Sequence, residues 1–463
     1  MWRGRALALA VVTSVVSAAW PGAAAPAAAA GARRPDIILI VTDDQRADTL
    51  WWLPTVRREI AARGRTFARA MVPTSVCCPS RASILTGEFA HTTKVWSNDG
   101  GWRRFVGAGM ESDTVAVWLR RSGYRTGLVG KYLNGFTADA PPVGWAVWHS
   151  FLGTNGDYYG YELLHTDGHV TRHGSTAADY STDVLRRRAV GFLRSTSPTR
   201  PLFLYFAAYA PHGPATPAPR HATLPAPIGS FSPPDFNEAD VSDKPAWIRR
   251  LPRVDPDVVR ALRIQQYRSL RAVDEAVAAM IRVQRERGRL HRTLLLFVSD
   301  NGDMWGEHRV SGKFVPYRGA TRVPMAIAWP GHVPAGTTDR RLALNLDLPA
   351  TIAAAARASH DPIAGRDLLR GWVRGGFVLE AARADVPGGN GTNVERPSYC
   401  GWRTGRFLFV HYGNGREELY DYASDPWELS DVHSLARYRD RTLAFRRHAR
   451  RWCDPVPPGF SWG

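Results

Sequence analysis

Two short apolar runs, residues 37–42 (IILIVT) and Thr293–Ser299 (TLLLFVS), each break off into acidic or amide residues: Asp43-Asp44 after the first, Asp300-Asn301 after the second. A run this short, with no polar alternation, suits a strand buried on both faces, as a parallel strand is when helices cover it above and below. Residues 202–208 (LFLYFAA) form a third such run, with Pro211-His212 beyond its end. Between the runs, Leu270, Val273, Val277, Met280 and Ile281 recur at helical spacing before Gly288. Strands alternating with helices predict an α/β fold, a large mixed, mainly parallel sheet sandwiched by helices. Open sheets of this kind collect ligands beyond the carboxyl ends of their strands, so the polar residues just past these runs are the first candidates for a site.

The pattern changes near residues 361–376. Beyond it, residues 406–411 (RFLFVH) and 418–421 (ELYD) flank the turn-prone Gly413-Asn414-Gly415, which is a hairpin signal. The expected organisation is therefore a catalytic α/β domain over residues 35–370 and a small α+β C-terminal subdomain over 371–463. Residues 211–252, rich in Pro, Asp and Ala with little periodicity, read as a surface excursion that shapes access to the site. At the other end, Arg3 and Arg5 precede an apolar stretch and an Ala/Pro-rich tract, so residues 1–30 read as a signal peptide. The apolar run is short and Pro21 and Pro26 follow it, which argues against a membrane anchor. A secreted or extracytoplasmic protein with no stable membrane anchor is expected.

The net charge of +18 favours anionic partners. Arginine is spread along the chain, so a solvated basic surface and a polyanion groove both stay open. No zinc-finger spacing and no aromatic RNA-binding motif points to nucleic acid.

The motif with the most chemistry is Cys77-Cys78-Pro79-Ser80-Arg81, followed after four residues by Thr86-Gly87. Read as letters, the Cys pair suits a buried apolar pair or half a disulfide. The whole string resembles the modification signature of the sulfatase family. That resemblance implies that a formylglycine-generating enzyme converts Cys77 to Cα-formylglycine, whose hydrated aldehyde attacks sulfur. It also gives Arg81 the role of holding that hydrate, for which a permanently charged, bidentate guanidinium is suited.

Asp43, Asp44, Asp300 and Asn301 place four oxygen donors at two strand ends, a set suited to Ca²⁺ or Mg²⁺. A helix cap would produce the same Asp-Asp letters. Ser299-Asp300-Asn301-Gly302 resembles the sulfatase segment that binds Ca²⁺, and the resemblance adds the residue at 77 to the metal set. Gly130-Lys131-Tyr132-Leu133-Asn134 resembles the family's lysine motif in the form of the branch containing N-acetylglucosamine-6-sulfatase. Leu133 stands where many members carry His, and Asn134 is the polar neighbour that could take over. Ala210-Pro211-His212 and Gly312-Lys313 are similar to the segments that bind sulfate and protonate the leaving oxygen, and His is the usual proton carrier near neutral pH. His308 is either a pocket residue or a loop residue bonded to backbone. With Cys77 converted and Cys78 in the site, Cys400 and Cys453 are the natural disulfide pair, two buried thiols being the alternative.

The resemblance thus implies a sulfuric ester hydrolase acting on sulfated small molecules or glycans, with Lys131, His212 and Lys313 around the sulfate. Two other readings stay open: a phosphate or phosphonate ester hydrolase of the same superfold, and a secreted protein that binds polyanions without turning them over.

Overall fold

Side chains along the central strands point alternately to two apolar layers, which is why these strands are apolar without interruption. The computed structural model describes residues 1–2, 33–153 and 156–463. The chain divides into two units, Met1–Arg33 and Arg34–Gly463, and the sheets and their helices belong to the second. The leader expected over residues 1–30 lies, but for its first two residues, outside those described. Among the described residues no helix is long and apolar enough to cross a membrane.

Ten strands form the main sheet: β1 (Asp36–Thr42), β2 (Arg65–Met71), β3 (Arg125–Gly130), β4 (Val147–Phe151), β5 (Glu162–His165), β6 (Val170–Arg172), β7 (Leu202–Ala207), β8 (Thr293–Ser299), β9 (Met325–Ala328) and β10 (Thr337–Leu344). Their order across the sheet is β10-β2-β9-β8-β1-β7-β3-β4-β5-β6. The middle, β8-β1-β7-β3-β4, is parallel throughout, while β9 and the edge strands β5 and β6 run antiparallel to their neighbours.

Ile37, Leu39 and Val41 of β1, with Phe203, Tyr205, Leu294 and Leu296, face one layer. There they meet α1 (Cys77–Thr86) and α4 (Asp347–Ala356) through Ala82, Leu85, Leu348 and Ile352. Ile38 and Ile40, with Leu204, Phe206, Leu295 and Phe297, face the other layer, α2 (Ser181–Ser195) and α3 (Pro256–Glu286). The period of two that exposes one face of an ordinary strand buries both faces here. Helix α3 begins where the sequence places a start: Asp255 caps the Asp257 N–H at 2.8 Å and Pro256 occupies the first turn.

Beyond residue 370, β11 (Phe377–Ala381), β12 (Tyr399–Arg403), β13 (Phe407–Tyr412) and β14 (Glu417–Asp421) make an antiparallel sheet, against which α5 (Arg439–Trp452) lies. The hairpin expected around Gly413-Asn414-Gly415 joins β13 to β14. Cys400 on β12 and Cys453 after α5 form a disulfide. This sheet shares an apolar cluster with Val315, Tyr317, Leu344 and Leu346 from the region of the larger sheet. Val241, Trp247, Ile248 and Leu251 belong to the same cluster. The stretch expected as a surface excursion therefore also supplies core.

Candidate active site

Four strand ends and one helix start bring the polar residues together. Asp43 and Asp44 follow β1, Asp300 and Asn301 follow β8, Lys131 follows β3, and His212 lies beyond β7. Cys77 is the first residue of α1, and Arg81 sits one turn on. Gly130, at φ 118°, comes so close to β7 that a Cβ there would lie 1.9 Å from the Ala207 carbonyl oxygen. Only glycine allows Lys131 to leave the sheet at that point. Asp44 is held at φ 62°, uncommon for a residue with a Cβ but tolerated by Asp. Its N–H donates to Asp300 Oδ1 at 3.1 Å, which fixes the two strand ends to each other.

The charged groups interlock. Arg81 is fully buried and donates from Nε to Asp300 Oδ2 at 2.8 Å and from Nη1 to the Lys131 carbonyl at 2.9 Å. Its Nη2 lies 3.3 Å from Asp43 Oδ2, the same oxygen that Lys131 Nζ bonds. Lys313 Nζ bonds Asp44 Oδ1 and lies 2.8 Å from Cys77 Sγ. The Cys77 thiol lies 3.4 Å from Asp43 Oδ1. His212 Nε2 is 3.5 Å from Asp44 Oδ2, and the ring stacks on Tyr209 with centroids 4.7 Å apart.

Burial sets the tone of the electrostatics and the neighbours decide its outcome. Burial alone would raise the Asp43 carboxyl, yet Lys131, Arg81, His212 and Lys313 hold it far below the usual carboxylate range. Asp300 is pushed up to about 6 by burial and then by the charge on Asp43. Burial opposes the charge on both lysines, but Asp43 raises Lys131 and Asp44 raises Lys313, so both keep their protons. His212 is lowered, because burial outweighs Asp44, and is neutral near pH 7. The Cys77 thiol is pushed up to about 12 by burial and by Asp43.

The donor set suits a hard cation. One ligand atom from each of Asp43, Asp44, Cys77 and His212 lies within 4.8 Å of the others. Asn301 donates from Nδ2 to Asp44 Oδ1 at 2.6 Å, while its buried Oδ1 has no hydrogen-bond partner among the described residues. An oxygen kept dry and unbonded beside two carboxylates is what a Ca²⁺ ligand requires.

Two candidates lie elsewhere. Asn134 is buried beside Cys78 and its Oδ1 has no partner among the described residues. Leu133 packs in the apolar layer with Tyr132 and Phe136. His308 is buried with its Nδ1 2.6 Å from Glu238 Oε2 and its Nε2 3.7 Å from Glu428. Burial would lower its pKa, but the bond to Glu238 and the nearby Glu428 carboxylate raise it to about 9. Its side chain therefore bonds Glu238, an acidic group outside the cluster. Sequence reading missed Asn345, whose Nδ2 donates to Ser80 Oγ at 2.8 Å, while that hydroxyl bonds the Asp300 carbonyl. Asn345 lies 265 positions from Ser80, so no local pattern could reveal the pairing. Tyr209, the platform under His212, was missed as well and carries no motif of its own.

A family model described as Sulfatase matches residues 35–358. The chain is 33% identical over 325 residues to the extracellular sulfatase SULF-1 homolog of Drosophila melanogaster, across 67% of this chain and 28% of that protein. It is 32% identical over 346 residues to N-acetylglucosamine-6-sulfatase of Homo sapiens, across 70% of this chain and 59% of that protein. The chain thus spans less than two thirds of these curated relatives. A solved structure described as in complex with its substrate D-glucosamine-2-N,6-O-disulfate superposes with a TM-score of 0.73 at 21% identity, covering 91% of this chain and 98% of that one. The two share a fold.

Proposed function

Since the chain belongs to the sulfatase family, we propose that it hydrolyses sulfate esters of sugars, using Cα-formylglycine made from Cys77 and a Ca²⁺ held by Asp43, Asp44, Asp300, Asn301 and residue 77. The observation that carries this reading is the setting of Cys77 Sγ. Lys313 Nζ stands 2.8 Å from it, Asp43 Oδ1 3.4 Å, and the start of α1 lies beneath it. A thiol pushed up to about 12 stays protonated at neutral pH and is a poor nucleophile. The position suits an oxygen nucleophile, and Sγ marks where that oxygen would project.

When present, the aldehyde supplies an oxygen for attack at sulfur and the cation supplies fixed positive charge against the sulfate oxygens. The other roles fall to side chains whose charge states the site already fixes. Arg81, tied to Asp300 and the Lys131 carbonyl, keeps a permanent charge beside residue 77. Lys131 and Lys313 keep their protons and ring the place where sulfate oxygens would sit. His212, neutral near pH 7, donates from Nδ1 to the Gly213 carbonyl at 2.7 Å, which leaves Nε2 as an acceptor. Lys313 therefore carries the proton for the leaving oxygen, and His212 Nε2 accepts from a hydroxyl of the substrate.

We further propose that residues 35–370 carry the chemistry while residues 371–463 form a subdomain joined to them through the shared apolar cluster. On the same reading the chain is exported, and a formylglycine-generating enzyme acts on it during maturation. Sugar sulfates fit best among substrates, since one relative is an N-acetylglucosamine-6-sulfatase and the Gly130–Asn134 segment has the form of that branch.

Peptide mass analysis of active enzyme from its own host, paired with turnover of N-acetylglucosamine 6-sulfate, an aryl sulfate and an aryl phosphonate, tests the reading. An aldehyde at position 77 and faster turnover of the sulfates are expected. A plain thiol at 77 in active enzyme, or phosphonate turnover above sulfate turnover, overturns it.

A further inference from the structure

Away from the cluster, six arginines wall a cleft of about 440 Å³: Arg69, Arg318, Arg322, Arg340, Arg403 and Arg406. They come from distant parts of the chain, Arg69 from β2, Arg340 from β10, Arg318 and Arg322 from the short helix Arg318–Thr321 and the residue that ends it, and Arg403 and Arg406 from the C-terminal sheet and the turn after it. No carboxylate lines the cleft among the described residues. Arg406 forks onto Asp421 at 2.7 Å through both nitrogens, and Arg403 lies 3.9 Å from Glu428. The other four form no ion pair among the described residues. Arg322 donates to the Ala68 carbonyl at 2.9 Å and Arg318 to the Pro426 carbonyl at 3.2 Å, while Arg69 and Arg340 are exposed.

We propose that this cleft is a second anion site, which holds the sulfated flank of a polyanionic glycan while one end of that glycan reacts. The proposal rests on the reading of the active site as one for sugar sulfates. Guanidinium forks match the paired oxygens of sulfate groups, and four without a side-chain ion pair leave a net positive field, offset only by Asp48 near Arg322 and by the Glu428 carboxylate on the Arg318 N–H, that an anion relieves. The crowding is felt within the cleft: burial and then Arg318 lower Arg322 to about 10 against the pull of Asp48, with Arg403 adding to the effect. The cleft is also within reach of the chemistry. Met71 lines it six residues before Cys77, and Arg318 lines it five residues after Lys313. At no more than about 3.6 Å per residue, these links put its walls within roughly 20 Å of the reacting groups, a span that several sugar units cover.

The test uses the full chain with Arg69→Glu and Arg340→Glu together, two exposed positions without ion pairs whose change leaves the fold intact, verified by an unchanged melting temperature. Binding of a sulfated heparin octasaccharide and of a single-stranded DNA of equal charge is measured by titration over a range of salt. Turnover is measured on a sulfated monosaccharide and on a long sulfated glycan. The octasaccharide is expected to bind the variant about tenfold or more weakly, with a shallower salt dependence. KM for the long glycan should rise while turnover of the monosaccharide stays unchanged. Unchanged octasaccharide binding overturns the proposal, as does DNA binding as tightly with the same sensitivity. If no sulfate ester is turned over by the parent protein, the functional reading fails, and octasaccharide binding still decides the cleft.

Discussion

Around Cys77 two ammonium groups, a guanidinium and three carboxylates are packed into a volume where burial alone would discharge several of them. Asp43, Arg81, Lys131 and Lys313 keep their charges because partners of opposite sign are within bonding distance. This separates the two groups that could protonate a leaving oxygen, since Lys313 is held charged by Asp44 and His212 is held neutral by burial. A general acid matters most when the leaving group is a poor one. Lys313→Ala should therefore slow a sugar sulfate by roughly 10²–10⁴-fold and an aryl sulfate, whose phenolate leaves readily, far less. Steady-state kinetics on the two substrates measures the difference, and an equal loss on both would remove Lys313 from that role. At this scale the sequence was informative where residues follow strand ends, because Asp43, Asp44, Asp300 and Asn301 stand directly after recognisable strands. It was uninformative where a side chain's direction decides. Asn134 and Lys131 are three residues apart, yet Lys131 bonds Asp43 and Asn134 lies beside Cys78.

Among the elements, the buried strands were legible because both of their faces are covered, which leaves an unbroken apolar signature. The strands β4, β5 and β6 toward the sheet edge were not, because their sequences carry His, Ser and Thr among the apolar residues. That polarity has a consequence. His149 on β4 and His165 on β5 lie Nδ1 to Nδ1 at 2.6 Å, so one must donate and the other accept. Burial lowers both, helped for His149 by His165 and then Arg188, and for His165 by Arg188 and then His169, while Asp167 pulls the other way in each case. Both fall to about 4 from 6.5. Between those values the unfolded chain binds protons that the folded chain does not, so acid favours unfolding. Stability should be full above pH 6.5, decline as pH falls, and level off below about 4 as far as this pair is concerned. Melting temperatures of the parent and of His149→Asn across that range check this: the variant should show the shallower decline, and parallel curves would exclude the pair as the cause.

For the whole molecule the open question was how the C-terminal segment is attached. The Gly413-Asn414-Gly415 hairpin could be read from the chain, but its docking could not, because the contacts that fix it come from residues hundreds of positions apart. Tyr317 donates to both oxygens of Glu418 at 3.0 Å, and Thr74 Oγ1 donates to the Glu380 carbonyl at 2.8 Å. Glu380 also receives the His91 N–H. The C-terminal sheet thus braces the loop before Cys77 and the turn after Lys313, so its stability bears on the active site. The Cys400–Cys453 disulfide spans 53 positions, and in the chain-entropy picture closing a loop of that length stabilises the fold by about 4 kcal/mol. Replacing both cysteines with Ser should lower the denaturation midpoint by a comparable free energy. Because the sheet braces the site, any turnover of a sulfate ester should be lost during unfolding together with the near-ultraviolet signal of residues 371–463, which carry Trp372, Trp402, Trp427, Trp452 and Trp462. Activity surviving well past the loss of that signal would mean that residues 371–463 unfold independently, and the bracing role would fall.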